Sequence, residues 1–451
     1  MPDLSYDLAF TLRLLERIDW SAERLARHRT ERLRVLLRHA ADGSPFWRKR
    51  LDGLDPEAAT LDDLARIPVL HKEDLMAHWD EIVTVPGLSL EACRRHLASL
   101  PPDPAPDDFV LRGCLVFSTG GTTGRQAIVA RTPAEWKATN YTQVRWAIRR
   151  LLADGVTLDP NVVQAGVLGD TPRHYAGVLT RATGIQPVPV SIPLAEQCAR
   201  LEAMKPEVLT GYPSALVRLA RAAIAGGLRI EPITISLAGE CLTGEIRGLL
   251  RAAWPQARIF NVYGSTESGL VASSTGGDDP CLYVNDDFFA IEPLDDCGTP
   301  VAPGESGETL AVTCLESRSL PLIRYELTDR VTLASEPSPE GLAFTRIARL
   351  EGRTCDWLRW GDAEAHPYTF TTPLTDDPAV GLYQVRQTAG GAEVLVVPTG
   401  AARLDRERLL GEIARGLRAA GVPSPTLSLT CVEEIPRVGA GQKHRSFVPF
   451  A

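Results

Sequence analysis

The stretch Ser118-Thr119-Gly120-Gly121-Thr122-Thr123-Gly124 lies between two apolar runs, residues 115–117 and residues 127–130. The apolar runs predict two β-strands. The loop between them, with its glycines and hydroxyls, can direct backbone N–H groups and side chains at one anion, which suits a polyphosphate. The stretch is not a Walker loop, because no Gly-Lys-Ser or Gly-Lys-Thr and no helix start follow it. A Ser/Gly hairpin that binds no ligand has the same local pattern.

Three further short segments follow the loop in the order of the chain. They are Asn261-Val262-Tyr263-Gly264-Ser265-Thr266-Glu267, Arg324-Tyr325-Glu326-Leu327-Thr328-Asp329, and Ile435-Pro436-Arg437 with Gly441-Gln442-Lys443. Together with the loop, this order resembles the adenylate-forming superfamily of acyl-CoA synthetases and adenylation domains. Residues 44–47, 67–75 and 210–214 resemble its phenylacetate–CoA ligase-like branch. The resemblance covers nearly the whole chain.

The composition is that of an ordinary globular protein. The chain has 451 residues, of which 44% are hydrophobic and 23% are charged, so we expect more than one domain. The net charge of −9, without a basic block, argues against nucleic acid as a partner. Nine cysteines without a Cys-x-x-Cys pair are typical of a reducing cytoplasm. The sequence shows no long apolar run and no signal peptide, so we expect a cytoplasmic protein with no membrane partner.

The middle of the chain alternates predicted strands and helices. Strands at 208–210, 233–238 and 259–262 are separated by two amphipathic helices, the first with Ser214 as its expected N-cap. Units of this length predict parallel pairing and an α/β fold, with ligands beyond the carboxyl ends of the strands. A small β subdomain begins near Tyr283.

We expect two domains. Residues 1–352 would form a large N-terminal domain that binds ATP and the acid, with mixed or parallel sheets and helices plus the β subdomain. Residues 353–451 read as a small α+β domain, with a strand at 393–398 and a helix around Leu409. The resemblance implies that this C-terminal lid domain is mobile and carries a catalytic lysine. The sequence is compatible with a homodimer without requiring one.

The resemblance implies a nucleotide site built from these motifs. Residues 118–124 would hold the β- and γ-phosphates, Thr266 would contact the α-phosphate, and Glu267 would be a ligand of Mg²⁺. The alternative for Glu267 is a solvated turn residue. The resemblance also assigns nucleotide contacts to Asn261, Tyr263, Gly264, Ser265, Gly239 and Glu240. Glu240 could equally be an acid that complements the N-terminus of a helix.

Asp329 would accept hydrogen bonds from the ribose hydroxyls, because a carboxylate offers two acceptor oxygens to a diol. The alternative is that Asp329 is a turn residue at the end of a strand and contacts no ligand. The motif departs from the family's Tyr-Arg-Thr-Gly-Asp, and the charge of Glu326 is unexplained. Arg353 would bind ribose or phosphate oxygens. It belongs to the segment Gly352-Arg353-Thr354-Cys355-Asp356, which resembles the family's hinge motif. Cys355 occupies the position where the resemblance implies the hinge acid, and Asp356 follows one residue later.

Lys443 is the candidate catalytic lysine, since a compact ammonium can bridge the acid's carboxylate and the α-phosphate. The family usually reads Gly-Lys, whereas Gln442 intervenes here. His444 and Arg445 are alternatives, and so is a flexible basic tail without a catalytic role.

The acid pocket is the least specified part of the site. His174, Tyr175, Tyr212 and Pro213 are expected to line it, although His174 and Tyr175 could equally serve loop packing. The branch's usual aromatic and glycine-rich segment is missing after Asn161, which weakens any inference that the acid is phenylacetate.

The predicted function is therefore ATP-dependent, AMP-forming activation of an aromatic or small carboxylic acid. The acyl-adenylate would then pass to a thiol, with coenzyme A as the first choice, so the predicted cofactors are ATP, Mg²⁺ and CoA. The alternatives are a carrier-protein thiol, an amine, or another oxyacid as substrate. From a different class, the chain could be a nucleotide-binding module that has lost catalysis.

Overall fold

The structure of the protein is a computed structural model. It describes residues 8–450, apart from 102, 120–126, 158, 160, 169–174, 190, 191, 193, 278, 354–357, 362, 366–368, 371, 372, 375, 376, 378, 399–402, 434, 436–446 and 449. The chain divides into two compact units, of which the larger runs to Glu351 and the smaller begins at Gly352. No helix in the described ranges has both the length and the apolar character needed to cross a membrane.

The first 153 residues are mostly helical. The α-helices described before the central sheet are α1 Leu8–Ile18, α2 Ala22–Gly43, α3 Pro45–Arg50, α4 Lys72–Ala77, α5 Trp79–Ile82, α6 Leu90–Ala98, α7 Pro133–Asn140 and α8 Val144–Ala153. Leu33, Leu36 and Leu37 are fully buried on one face of α2, as their helical spacing requires. A small antiparallel sheet lies between α6 and α7, with strands β1 Val110–Leu111, β2 Cys114–Ser118 and β3 Ile128–Arg131.

A nine-stranded sheet forms the centre of the larger unit. Its strands, in chain order, are β4 Gln164–Val167, β5 Gln186–Pro187, β6 Val208–Gly211, β7 Thr234–Ala238, β8 Arg258–Ser265, β9 Gly269–Ser273, β10 Leu282–Val284, β14 Asp329–Leu333 and β15 Arg346–Arg353. Their spatial order is β14-β15-β10-β9-β8-β7-β6-β4-β5. The strands β5, β4, β6, β7 and β8 are parallel, as the alternating pattern predicted, whereas β9 and β10 are antiparallel.

The helices that connect the parallel strands are α9 Tyr175–Thr183, α10 Leu194–Met204, α11 Pro213–Ile224 and α12 Gly244–Ala253. Leu216, Leu219 and Leu250 of this layer are fully buried, as a helical period predicts. The expected N-cap at Ser214 is wrong. The helix α11 has Pro213 in its first turn and Tyr212 as its N-cap, because the fixed φ of proline suits the first helical position.

The predicted β subdomain is confirmed as a three-stranded antiparallel sheet of β11 Phe289–Leu294, β12 Thr309–Cys314 and β13 Tyr325–Leu327. Leu70 lies beside β13 in a parallel bridge to Tyr325. Its N–H donates to the Arg324 carbonyl at 2.9 Å, and its carbonyl accepts from the Glu326 N–H at 3.0 Å. This pairing holds the start of α4 next to the Tyr325–Asp329 motif.

The smaller unit is an α+β structure. Its four-stranded sheet has the order β20-β19-β18-β21, with β18 Val380–Thr388, β19 Gly391–Pro398, β20 Thr426–Cys431 and β21 Phe447–Val448. A hairpin of β16 Leu358–Trp360 and β17 Ala363–Ala365 precedes it. The helix α13 Arg406–Ala419 buries Leu409, Ile413 and Leu417, so the strand and helix predicted here are confirmed.

Candidate active site

Two of the sequence motifs converge at Tyr263 and Asp329. Tyr263 lies near the carboxyl end of β8 and Asp329 opens β14, on strands that are not neighbours in the sheet. The Tyr263 hydroxyl donates a hydrogen bond to Asp329 Oδ2 at 3.0 Å. A carboxylate has about four acceptor positions, so this bond orients Asp329 and leaves it able to accept from a ligand diol.

Glu267 is the acid at the end of the Tyr263–Glu267 motif, and it is 7% exposed. Its Oε1 accepts a hydrogen bond from the Tyr325 hydroxyl at 3.1 Å and lies 3.5 Å from Lys72 Nζ. The pairing of Leu70 with β13 is what brings Lys72 to this carboxylate. Sequence reasoning gave neither Tyr325 nor Lys72 a contact with Glu267, since a lysine at the start of a helix is usually a solvated surface residue.

The backbone of the Thr266–Glu267 turn is held by Arg131, the last residue of β3. Its Nη2 donates to the Glu267 carbonyl, and the Thr266 carbonyl lies at 3.5 Å. Arg131 is 2% exposed, and burial lowers the pKa of its guanidinium. Sequence reasoning missed this residue entirely.

Gly264 allows β8 and β9 to approach at a register shift between Tyr263 and Gly264. A Cβ on Gly264 would lie 2.1 Å from the Gly269 carbonyl oxygen, so only glycine fits there. The turn is closed by Ser265, whose Oγ accepts from the Ser268 N–H at 2.9 Å. Asn261, also on β8, donates its backbone N–H to Ser274 Oγ at 2.9 Å.

The strands on either side of the predicted phosphate loop are β2 and β3, which confirms that part of the prediction. Ser118 and Thr119 are buried at the end of β2. The Thr119 N–H donates to the Ala127 carbonyl, and Thr119 Oγ1 accepts from the Ala127 N–H, both at 2.9 Å. Thr119 therefore closes the neck of the hairpin. Gly120, Gly121, Thr122, Thr123 and Gly124 lie outside the described residues.

Gly239 and Glu240 follow β7 and lie against the start of α11. Gly239 has φ +83°, and a Cβ there would lie 3.1 Å from Cε1 of Tyr212. Glu240 accepts hydrogen bonds from the Ser214 N–H and hydroxyl, both at 2.8 Å. These contacts match the alternative in which Glu240 complements a helix N-terminus, here that of α11. They also place Tyr212 and Pro213 beside Gly239 and Glu240.

Tyr175 begins α9, and its hydroxyl donates to Asn140 Oδ1. Its ring lies 5.8 Å from that of Phe117 and 5.7 Å from that of Trp136. Burial raises the pKa of the Tyr175 phenol, so it stays protonated at neutral pH. His174, Lys443, His444 and Arg445 lie outside the described residues, and so do Thr354–Asp356 of the hinge-like motif. Arg353 ends β15.

Glu326, whose charge the sequence left unexplained, has a partner in the N-terminal part. His71 Nδ1 lies 2.8 Å from Glu326 Oε2. Arg324, just before it, has φ +50° and donates to Glu292 Oε2 at 3.1 Å and to the Ile67 carbonyl at 2.7 Å. The Arg324–Glu326 segment is thus fixed to residues 67–71, which stabilises the position of Tyr325.

A Mg²⁺ ion fits this arrangement only as a partner of a bound polyphosphate. Glu267 offers a hard oxygen ligand, and within the described residues its Oε2 accepts no hydrogen bond. The part of the chain that the structure describes contains no group of three or more His, Cys, Asp or Glu side chains placed to hold a metal. Mg²⁺ commonly takes one or two carboxylates and completes its shell with phosphate oxygens and water, which agrees with a single glutamate.

Comparison with known proteins gives relatives that span most of the chain. A phenylacetate–coenzyme A ligase of Thermus thermophilus is 27% identical over 372 residues, which cover 79% of this chain and 77% of the relative. A phenylacetate–coenzyme A ligase of Escherichia coli is 27% identical over 75% of this chain and 73% of its own length. An indoleacetate–lysine synthetase of Pseudomonas savastanoi is 29% identical over 140 residues, or 30% of this chain. No family model matches the chain.

Among solved structures, a 2-hydroxyisobutyryl-CoA ligase in its postadenylation state, in complex with 2-HIB-AMP, has a TM-score of 0.68. It is 20% identical to this chain, and the match covers 96% of this chain and 91% of the ligase. These similarities agree with the resemblance of the sequence motifs to the adenylate-forming superfamily. The sequence relatives are mostly phenylacetate–CoA ligases, and the α/β fold of this chain, with a large N-terminal and a smaller C-terminal domain, is that of the CoA ligases among the solved structures.

Proposed function

We propose that this protein is a member of the adenylate-forming superfamily that activates a carboxylic acid with ATP and transfers the acyl group to the thiol of coenzyme A. The observation that carries the proposal is the meeting of the two predicted nucleotide motifs in pairs, Tyr263 with Asp329 and Glu267 with Tyr325. A protein that shared only the fold and bound no nucleotide would have no reason to keep both pairs. The named activities of the relatives, phenylacetate–CoA and 2-hydroxyisobutyryl-CoA ligases, support the same reaction class.

In the first half-reaction, a carboxylate oxygen of the acid attacks the α-phosphorus of ATP, and pyrophosphate leaves. Asp329, oriented by Tyr263, accepts hydrogen bonds from the ribose hydroxyls. Ser118 and Thr119 lead into the loop that holds the β- and γ-phosphates, and Thr266 contacts the α-phosphate. Since the transferred group needs little covalent help, the contribution of these residues is positioning and charge stabilisation.

Glu267 would hold Mg²⁺, which, when bound, neutralises the charge of the phosphate oxygens. Tyr325 and Lys72 fix the Oε1 side of this carboxylate, and Arg131 fixes its backbone. Lys443 would supply a further positive charge from the C-terminal domain. Arg353 and the residues Gly239, Glu240, Asn261, Gly264 and Ser265 complete the proposed nucleotide site, and Gly264 does so by permitting the backbone turn.

In the second half-reaction, the thiolate sulfur attacks the carbonyl carbon of the acyl-adenylate, and AMP leaves. Tyr175, Tyr212 and Pro213, together with His174, line the proposed acid pocket. Coenzyme A is the proposed acceptor, and a carrier-protein thiol or an amine remain the alternatives. We place the reaction in the cytoplasm, since all eight described cysteines are free thiols.

Acid-dependent ATP–pyrophosphate exchange tests the proposal. The purified protein is incubated with ATP, Mg²⁺, labelled pyrophosphate and, in turn, a panel of aromatic and short-chain acids. We expect exchange with at least one acid and none without acid. If ATP bound to the protein but no acid supported exchange, the chain would be a nucleotide-binding module without adenylation activity.

A further inference from the structure

A polar and aromatic cluster adjoins the Thr266–Glu267 turn, and we call it the Phe117 cluster. It surrounds the Phe117 ring, with Arg131 Cζ 5.6 Å from the ring centre, the Trp136 ring at 5.5 Å and the Tyr175 ring at 5.8 Å. Asn140 completes it by accepting the hydrogen bond of Tyr175. The cluster therefore combines three aromatic rings with a buried guanidinium.

Two donors of the Phe117 cluster have no hydrogen-bond partner among the described residues. They are Arg131 Nη1 and Trp136 Nε1, on side chains that are 2% and 0% exposed. The carboxylates of Glu135 and Glu267 act on the Arg131 guanidinium through their charge, but neither accepts a hydrogen bond from Nη1. A buried donor without a partner costs about 1–3 kcal/mol, and more where the donor belongs to a charged group. A group that binds there would remove this cost.

The other polar groups of the cluster are already engaged with one another. Asn140 donates from Nδ2 to the Trp136 carbonyl at 2.8 Å, and its Oδ1 accepts the hydrogen bond of the Tyr175 hydroxyl. Arg131 uses Nη2 on the carbonyls of the Thr266–Glu267 turn. Both unsatisfied atoms are donors, so the complementary group is an acceptor, such as a carboxylate, carbonyl or hydroxyl oxygen.

The position of the cluster connects it to the acid. Arg131 contacts the same turn whose Thr266 and Glu267 are proposed to contact the α-phosphate and Mg²⁺. The acid must place its carboxylate at the α-phosphate. Its remaining atoms must then lie near this turn, and Tyr175, on the proposed acid pocket, is itself a member of the cluster.

We propose that the Phe117 cluster is the polar end of the acid pocket. The acid then carries, besides the carboxylate that is activated, a second hydrogen-bond acceptor that receives the N–H groups of Arg131 Nη1 and Trp136 Nε1. This inference rests on the proposed adenylation function and narrows its substrate class from hydrocarbon acids to acids with a second polar oxygen. A second carboxylate suits the site best, because a hydrogen bond between a guanidinium and a carboxylate is about twice as strong as a neutral one.

The test compares matched acids that differ only in the second acceptor, such as benzoate with its hydroxy and carboxy derivatives and phenylacetate with hydroxyphenylacetates. Values of kcat/KM for adenylation are measured for the wild-type protein, Trp136→Phe and Arg131→Met. Trp136→Phe removes one unpaired N–H, keeps an aromatic ring and leaves the contacts between Arg131 and the turn in place. Trp254→Phe is the matched control, since Trp254 is another buried tryptophan with an unpaired Nε1, in the helix layer of residues 165–259.

We expect the wild-type protein to prefer one acceptor-bearing acid over its apolar partner by about 10- to 100-fold, the scale of one or two hydrogen bonds to a charged group. Trp136→Phe and Arg131→Met should reduce this ratio at least about tenfold, and Trp254→Phe should leave it unchanged. Melting temperatures of the variants show whether each is folded.

An equal decline with both acids of a pair would make Arg131 and Trp136 merely structural, and the inference would be wrong. It would also be wrong if the wild-type protein showed exchange but no preference within any pair. Neither result resembles failure of the proposed function itself, in which no acid of the panel supports exchange.

Discussion

The hydroxyl of Tyr263 lies 3.0 Å from Asp329 Oδ2 and donates a hydrogen bond that joins the end of β8 to the start of β14. These residues are 66 positions apart in the chain. Each belongs to a motif that the resemblance assigns to nucleotide binding. Their contact places the proposed ribose ligand beside the Tyr263–Glu267 turn.

Asp329→Ala should raise the KM for ATP by roughly 10- to 100-fold, the loss expected for hydrogen bonds to a charged acceptor, and leave the KM for the acid nearly unchanged. The reason is that Asp329 is proposed to touch ribose alone. Steady-state pyrophosphate exchange gives both constants. Tyr263→Phe, which keeps the carboxylate and loses only its orienting bond, should have a smaller effect of the same kind. Equal changes in both KM values would assign Asp329 a structural role.

Glu267→Gln should raise the Mg²⁺ concentration needed for half-maximal exchange by at least about 100-fold, because the ligand loses its charge. Tyr325→Phe keeps the charge and removes the hydrogen bond to Oε1, so an increase of about tenfold is expected. Binding of Mn²⁺ to the ATP-loaded protein, followed by electron paramagnetic resonance, measures the metal affinity of each variant without turnover. We expect the affinity to decrease from the wild-type protein to Tyr325→Phe and further to Glu267→Gln. The burial of Glu267 already contradicts the alternative of a solvated turn residue, so unaltered metal affinity in Glu267→Gln would leave this carboxylate a structural role as the acceptor for Tyr325.

Lys443→Ala should slow adenylate formation by about 100-fold or more, the scale of one lost electrostatic contact to the transition state. Thioester formation from a chemically supplied acyl-adenylate should stay nearly intact, because the resemblance implies a lid domain that moves away for the second step. Rapid quench of each half-reaction gives both rates. A parallel decline of the two rates would contradict the assignment of Lys443. If Arg445→Ala slowed adenylate formation and Lys443→Ala did not, the catalytic residue would be Arg445, two residues later.

Gly264→Ala should destabilise the larger unit by about 1–3 kcal/mol or more, since the new methyl group would overlap the Gly269 carbonyl. Gly248→Ala is the matched control: it lies inside α12 with open space around it, and it should stabilise by up to about 1 kcal/mol. Denaturant unfolding followed by tryptophan fluorescence reports mainly on this unit, because six of the eight tryptophans precede residue 351. Equal stability of the two variants would mean that β8 and β9 separate easily at this point.

The parts that the sequence predicted well are those with a repeated or ordered signal. The alternation of apolar strands and amphipathic helices predicted β6, α11, β7, α12 and β8. Motif order also led us to expect residues 263 and 329 close together, and they are hydrogen-bonded, while their role as a nucleotide site stays a prediction. The start of α11 differs from the prediction: serine is the commoner N-cap, but Pro213 occupies the first helical turn and makes Tyr212 the N-cap.

The residues that sequence reasoning missed act through contacts without a local pattern. Arg131 ends an apolar strand and gives no sign that its guanidinium binds the carbonyls of a turn 135 residues later. Lys72 reaches Glu267 only because the Leu70 backbone pairs with β13. A signal did exist in the resemblance of residues 67–75 to the phenylacetate–CoA ligase-like branch, but it carried no role for the lysine.

The fate of a carboxylate oxygen tests the central claim most directly. The acid that supports the strongest exchange is labelled with ¹⁸O in its carboxylate and incubated with the protein, ATP, Mg²⁺ and CoA, and the products are analysed by mass spectrometry. If an acyl-adenylate forms, the oxygen that attacks the α-phosphorus stays on it when the thiol displaces AMP. We therefore expect AMP to gain one ¹⁸O for each acyl-CoA formed. Formation of ADP with ¹⁸O in inorganic phosphate, or of unlabelled AMP, would contradict adenylation of the acid.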